Sequence, residues 1–420
     1  MSVFFDGTGN NKYNTEERLK NTSVYRWTSD TFGESYENDY SNVARLFEWL
    51  NTASSPPELH KKFYIEGMGT KAKEGDKIYG MLIGTGDTGI VKRNGELGEG
   101  RIREALNEVL DWVQKNVDKD DKTIELLKID VFGFSRGAAA ARAFVYFALN
   151  NIEGNFSIKL QLQVLGYRVS DVKVHFTGLF DTVAAFGLMN SNDTADLHLD
   201  AIRDSTFVLH LVAKNEYRDG FPLTNINSAT GIEIFLPGAH SDIGGGYVNN
   251  MQEEDLILMH LPYVKEEAGV GVNYHKKDKF VENIELLTNE KNRLVQEGWY
   301  KEEELDISNH YQLKASRLNI RNTYSYIPLQ IMKKYSVYFG LRFLSVFDKK
   351  YSIPTKEFYL NKLMDCITVN GKGDYTKQHE LMKHIRHLYF HSSAHYNKAF
   401  MYPRFKDDSK TIKERKVYPG

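Results

Sequence analysis

Residues Val131–Phe144 read VFGFSRGAAAARAF. A strand-like run, Lys128 to Phe132, leads into this stretch, and a strongly helix-favouring run, Ala138 to Phe147, leads out of it. Between them Gly133-Phe134-Ser135-Arg136-Gly137 fits G-x-S-x-G. A sharp strand-to-helix turn at this point would expose the Ser135 hydroxyl, while Gly133 and Gly137 let the flanking elements approach closely. The new helix N-terminus favours negative charge, and the Arg136 N–H would face a developing oxyanion. Five matching residues alone are a weak pattern; the strand before and the Ala-rich helix after supply the context a nucleophile elbow requires.

Outward from this turn, short apolar runs alternate with helical periodicity. Ser2–Phe5 and Lys62–Ile65 are short strand-like runs ending in the glycine-rich turns DGTGNN and EGMGT. Between them Ser41–Asn51 places Val43, Leu46, Phe47 and Leu50 on one helix face, and Gly100–Asn116 is a second amphipathic helix. Strands are expected at Lys128–Phe134, Val172–Phe180, Thr206–Val212 and Ile232–Leu236. Apolar strands separated by helices predict an α/β fold: a mostly parallel sheet flanked by helices, as in α/β-hydrolases. Residues 71–98, rich in Gly, Lys and Asp, have the composition of a mobile loop. After about residue 250 the chain becomes charge-dense and helical in pattern, then more apolar at YSYIPLQIMKKYSVYFGLRF. The expected organisation is a catalytic core over 1–250, a helical cap or accessory region over 251–345, and a C-terminal segment over 346–420 that packs back on the core. The apolar stretch of the cap, mixed with Lys333, Lys334 and Arg342, suits either a membrane-facing surface over the site or an ordinary core helix.

A nucleophilic serine needs a base and an acid, which such sheets present in the order Ser, Asp or Glu, His. Asp181 follows the strand Val172–Phe180, where ligand sites of open sheets form; a helix cap or turn residue is the plainer reading. Glu216, after the next strand, is the competing acid. For the base, His240 follows Ile232–Leu236 on a loop leading to Gly244-Gly245-Gly246, with Asp242 placed to orient the loop or cap a helix. His391 and His395 form a rival pair near the C-terminus, whereas His175 and His210 fall inside strands as core or sheet-face residues. The second oxyanion donor would come from Gly7 or Thr8 after the first strand. Gly7–Asn10 and Gly84–Asp87 lack the Lys and spacing of a phosphate-cradling loop.

Composition narrows the alternatives. The net charge of −2 gives no electrostatic case for nucleic acid. The single Cys366 excludes an intramolecular disulfide. No Cys/His cluster, H-E-x-x-H or EF-hand pattern is present, so no metal or other cofactor is expected. The opening MSVFFDGTGNN has no signal-peptide character and no apolar run spans a bilayer, so the protein is expected to be made in the cytoplasm without a membrane anchor. Aromatic residues make up 13%, which suits a deep core or a surface for lipid or glycan.

Six motifs in register, FFDGTGNN, EGMGT, GFSRGAAAARAF, GLFDTVAAFG, AKNEYRDGF and FLPGAHSDIGGGY, resemble the Tle1-like α/β-hydrolases, which include phospholipase effectors of the type VI secretion system. The resemblance covers roughly residues 1–250. It implies hydrolysis of glycerophospholipid acyl esters in a neighbouring cell's periplasm, delivery on a secretion spike, and a cognate immunity protein. It also implies that Ser135, Asp181 and His240 are the triad. A soluble small-ester hydrolase or peptidase, or an inactive scaffold serving as a binding module, are the alternative functions.

Overall fold

The computed structural model describes residues 1–28, 33–55, 58–84, 88–90, 100–117, 121–152, 154–186, 191–192, 194–261, 274–370, 375–399, 401–406 and 412–420. In chain order the elements that build the core are β1 (Ser2–Phe5), α1 (Asn42–Trp49), β2 (Lys62–Ile65), α2 (Arg101–Asn116), β3 (Thr123–Phe134), α3 (Arg136–Leu149), β4 (Arg168–Phe180), β5 (Phe207–Ala213), β6 (Gly231–Leu236) and the short α4 (His240–Gly244). The six strands form one sheet in the order β2-β1-β3-β4-β5-β6. Every neighbouring pair is parallel. This is the α/β-hydrolase-type architecture that the alternation of runs predicts.

Side-chain alternation along the strands explains the layers. Val3, Phe5, Ile129 and Val131 face α2 and α3, in a core floored by Ala138–Ala141. Phe4, Phe132 and Phe134 face the other side, against α1 and the later helix Tyr326–Tyr338. There the Phe4 and Phe132 rings stack at 4.6 Å, and Phe176 joins them at 5.6 Å. Each such fully buried ring stabilises the fold by about 1.5–3 kcal/mol relative to exposure.

The chain winds from β1 outward to β2, then returns past β1 to β3 and winds the other way. The turns leaving β1 and β3 therefore diverge and open a crevice at the carboxyl edge of the sheet. Ser135 stands in one of these turns and Thr8 in the other.

Beyond residue 250 the structure departs from the helical expectation. β7 (Met251–His260), β8 (Leu305–Ser308) and β9 (Gln312–Ile320) form an antiparallel sheet in the order β7-β9-β8, packed on α5 (Tyr274–Gln296). Strand β7 reads MQEEDLILMH, and its acids hide the strand pattern: Glu254 and Asp255 are exposed, while Glu253 is buried and paired with Arg317. α6 (Tyr326–Tyr338) buries Ile327, Leu329, Ile331 and Met332 on the main sheet, which is the ordinary core-helix alternative. The next residue, Phe339, meets Phe176 and Phe207. Because Phe207 opens β5, α6 ends at the amino edge of the sheet, away from the crevice, and does not cover it. Of the 71–98 stretch, Ile78–Ile83 is helical, while 85–87 and 91–98 lie outside the described residues, as does most of the Gly84–Asp87 turn. Among the described residues no helix is long and apolar enough to cross a membrane.

Candidate active site

The turn after β3 is as sharp as the motif demands. Ser135 has φ 59° and ψ −130°, a conformation that costs an L-residue of order 1–3 kcal/mol and persists only when its surroundings impose it. Here they do. The Ser135 N–H donates to the Phe180 carbonyl at 3.0 Å, and its own carbonyl accepts from Ala138 at 3.0 Å and Val183 at 3.3 Å. A Cβ on Gly137 would stand 2.2 Å from the Asp6 carbonyl oxygen, and one on Gly133 would stand 2.5 Å from Ala138 Cα. Both glycines are therefore required by close packing of the turn on β1 and α3.

Asp181 follows β4 with φ 45°. It is fully buried, and its carboxylate is saturated. Oδ1 accepts from the Ala213 N–H at 2.9 Å and from Arg415 at 2.7 Å; Oδ2 accepts from Arg415 at 3.0 Å and faces His240 Nδ1 at 2.5 Å. Burial alone would push this carboxyl up, but Arg415 and the His240 contact outweigh it and hold Asp181 well below the usual carboxylate range. For His240 burial is the largest influence and lowers its affinity for a proton; Asp181 opposes this and does not reverse it. The imidazole lies between the Phe134 ring at 4.6 Å and the Phe221 ring at 5.1 Å. It begins α4 rather than sitting on an open loop, with Asp242 Oδ2 accepting from the Ala239 N–H at 2.8 Å to cap the turn.

Of the three residues predicted from sequence, the structure sets Asp181 against His240 and places His240 and Ser135 on one cleft. Ser135 and His240 line a cleft of about 480 Å³, together with Thr8, Arg136, Met81, Leu82, Val183, Phe221 and Lys398. Of the two early-loop donors, Gly7 already gives its N–H to Asp6 Oδ1 at 2.8 Å, and Thr8 is the one on the cleft wall. The Arg136 guanidinium donates to Thr8 Oγ1 at 2.8 Å and to the Met81 carbonyl, so the loops after β1 and β3 are tied across the cleft. Burial lowers that guanidinium to about 10.

The runners-up have other partners. Glu216 is buried in a two-pronged pair with Arg218, at 2.9 Å on each oxygen, and accepts from the His240 backbone N–H at 3.2 Å. It braces the main chain of His240, not its ring. Burial would raise Glu216, but Arg218 foremost brings it down to about 2. His391 Nδ1 sits 2.7 Å from Asp242 Oδ1, its ring stacked on Tyr247 at 3.8 Å. It lines a separate cavity of about 310 Å³, whereas His395 is half-buried and lines neither space. Sequence reasoning missed Arg415 and gave Arg218 and Asp6 no role. Arg218 and Asp6 lie in recognisable motifs, but nothing in the basic run KERKVYPG marks Arg415. Among the described residues no group of His, Cys, Asp and Glu could hold a metal ion.

A family model described as the T6SS phospholipase effector Tle1-like catalytic domain matches residues 1–151 and 160–267, more than half of the chain. Among solved structures, the chain is similar to that of the Tle1 effector bound to the VgrG spike from the Type 6 secretion system. Identity is 21%, coverage is 100% of this chain and 93% of that one, and the TM-score is 0.61, a likeness of fold. A crystal structure of an uncharacterized protein from Pseudomonas aeruginosa is similar at 19% identity over 97% of this chain and 56% of that one, with a TM-score of 0.46. No curated protein matches.

Proposed function

Because the chain belongs to the Tle1-like family of type VI secretion phospholipase effectors, we propose that it cleaves acyl esters of glycerophospholipids with Ser135, His240 and Asp181 as its triad. The observation that carries this is the 2.5 Å contact between His240 Nδ1 and the buried Asp181 carboxylate, beside a serine held at positive φ on the same cleft. His240 Nε2 takes the proton as Ser135 Oγ bonds to the ester carbonyl carbon. Asp181 holds the ring's Nδ1–H and stabilises the imidazolium. The oxyanion is met by the N–H groups of Arg136 and Thr8, a choice supported by the commitment of the Gly7 N–H to Asp6. The C–O ester bond then breaks, and the departing lysophospholipid alkoxide takes the proton from His240. Water then gives a proton to the same imidazole as its oxygen bonds to the acyl carbon; the acyl–Oγ bond breaks, Ser135 Oγ takes the proton back from His240, and the fatty acid leaves. A base held neutral by burial suits this exchange near pH 7. The apolar part of the cleft, Met81, Leu82, Val183 and Phe221, suits an acyl chain.

Delivery on a VgrG spike is part of this proposal, supported by the similarity of fold to a structure captured on one. With it come action in a target cell's periplasm, peripheral contact with its phospholipid membrane, and a cognate immunity protein. The test is fatty-acid release from mixed phospholipid vesicles by wild type, Ser135→Ala and His240→Ala. Wild type should release acid, and each variant should lose at least about 10³-fold in rate while staying folded. A silent wild type would return the site to a small-ester hydrolase or an inactive binding scaffold.

A further inference from the structure

Arg415 lies 234 positions from Asp181 in the chain, yet its side chain is 8% exposed and packed against that carboxylate. Its fork is almost fully used. One terminal nitrogen donates to Asp181 Oδ1 at 2.7 Å and to the Ala213 carbonyl at 3.2 Å; the other donates to Asp181 Oδ2 at 3.0 Å; Nε donates to the Phe221 carbonyl at 2.9 Å. The backbone around it is held by β10 (Val417–Tyr418), which pairs in parallel with Leu223–Thr224, and by the Leu223 N–H donating to the Lys416 carbonyl at 2.8 Å. Phe221 is the residue whose ring stands edge-on to His240. One guanidinium therefore grips both the carboxylate and the peptide of the aromatic wall that flank the same imidazole.

We propose that Arg415 is a positioning residue that locks Asp181 and Phe221 around His240 and offsets part of the Asp181 charge felt by the ring. The inference rests on reading Ser135, His240 and Asp181 as the triad. Two physical effects are separable here. Rotating the Asp181 carboxylate would break both Arg415 contacts and the Ala213 bond together, so the oxygen facing Nδ1 stays in place. A planar fork can do this and a point-charge ammonium cannot. The charge effect has a definite sign. The charged groups acting on His240 are Asp181 after β4 and Glu216 and Arg218 beyond β5; Arg136 and Lys398 line the same cleft, Asp242 caps the helix that His240 begins, and Arg415 from the C-terminal segment holds Asp181. Glu216 and Arg218 offset each other as a pair, and Asp242 is engaged by His391. Arg415 acts on the ring's own partner. Removing its charge strengthens the Asp181 field at the imidazole and favours the protonated ring.

The test compares wild type with Arg415→Gln and Arg415→Lys in the full chain by two readouts. One is the NMR titration of the His240 imidazole, assigned by its loss in His240→Gln. The other is kcat and KM on phospholipid vesicles across pH. Arg415→Gln should raise the His240 midpoint by about one pH unit, move the acid limb of kcat/KM upward equally, and lower kcat at the plateau by roughly tenfold or more. Arg415→Lys keeps the charge, so its midpoint should stay near wild type while kcat falls and KM does not change. A folded Arg415→Gln with unmoved midpoint and acid limb overturns the proposal. If Arg415→Gln does not fold, Arg415→Lys decides, and a wild-type kcat there overturns it. A shifted His240 midpoint in a protein whose wild type leaves phospholipid intact supports the inference and counts against the phospholipid reading alone.

Discussion

At the scale of single residues, the site spends conformational strain at Ser135. A positive φ with a Cβ attached is unfavourable, whereas glycine adopts it freely. Ser135→Ala keeps the Cβ and the strain; Ser135→Gly removes both. We expect both variants to be inactive, with the glycine variant more stable than the alanine one by about 1 kcal/mol, as urea denaturation would measure. Equal stabilities would show that the turn is not strained. His391 makes a second residue-scale case. Its contact is to Asp242, which caps the turn carrying His240, so its influence on His240 is indirect. His391→Gln should lower kcat by no more than about tenfold. A loss near that of His240→Ala would make His391 the base after all.

At the scale of elements, the decisive contact is the packing of the β3–α3 turn on the end of β1. Gly137 lets α3 start 2.2 Å, in Cβ terms, from the Asp6 carbonyl. Gly137→Ala must push α3 away from β1, at a cost of about 1–3 kcal/mol for an overpacked contact. Since the same shift parts Arg136 from Thr8, esterase activity should fall more steeply than the melting temperature does. Thermal melts beside rate measurements would check this, and an active, destabilised variant would refute the link. This much was legible in the chain, because strand–glycine–serine–glycine–helix is a local pattern. The β7-β9-β8 sheet was not. Its first strand, β7, pairs with β9 across 50 to 70 residues, and acids on the solvent face of β7 imitate the charge density of a helix.

At the scale of the whole molecule, buried charge joins segments that are remote in the chain. Arg317 on β9 is fully buried, paired with Glu253 on β7 at 2.9 Å, and donates to the carbonyls of Trp299, His387 and Phe390. It fastens the accessory sheet to the C-terminal segment. Arg317→Ala would leave Glu253 buried without its counter-charge, so we expect a loss of about 3–5 kcal/mol in urea denaturation. The double change Arg317→Met with Glu253→Leu should recover most of it. Acid stability has a similar origin. Glu216, depressed to about 2, and Asp181, lower still, both bind protons more weakly folded than unfolded. Their contribution is complete above the ordinary carboxylate range near pH 4 and is lost as pH falls toward 2. The urea midpoint should therefore fall steeply from pH 4 to pH 2, and Glu216→Gln should flatten that fall.

By itself the sequence determined what local pattern can carry: the parallel strands, their flanking helices, the elbow at Ser135, and the strand ends bearing Asp181 and His240. Hydrophobic period and turn chemistry act within about a dozen residues, so they are visible in one chain. Tertiary structure alone decided which groups share an environment. It set Asp181 against His240, gave the Gly7 amide to Asp6 and left Thr8 on the cleft, and assigned Glu216 to Arg218. It also brought Arg415 back to the acid from the far end of the chain. Such pairings follow from burial, where an unpaired charge is costly and any partner that reaches it is held, and sequence distance leaves no trace of which partner that will be.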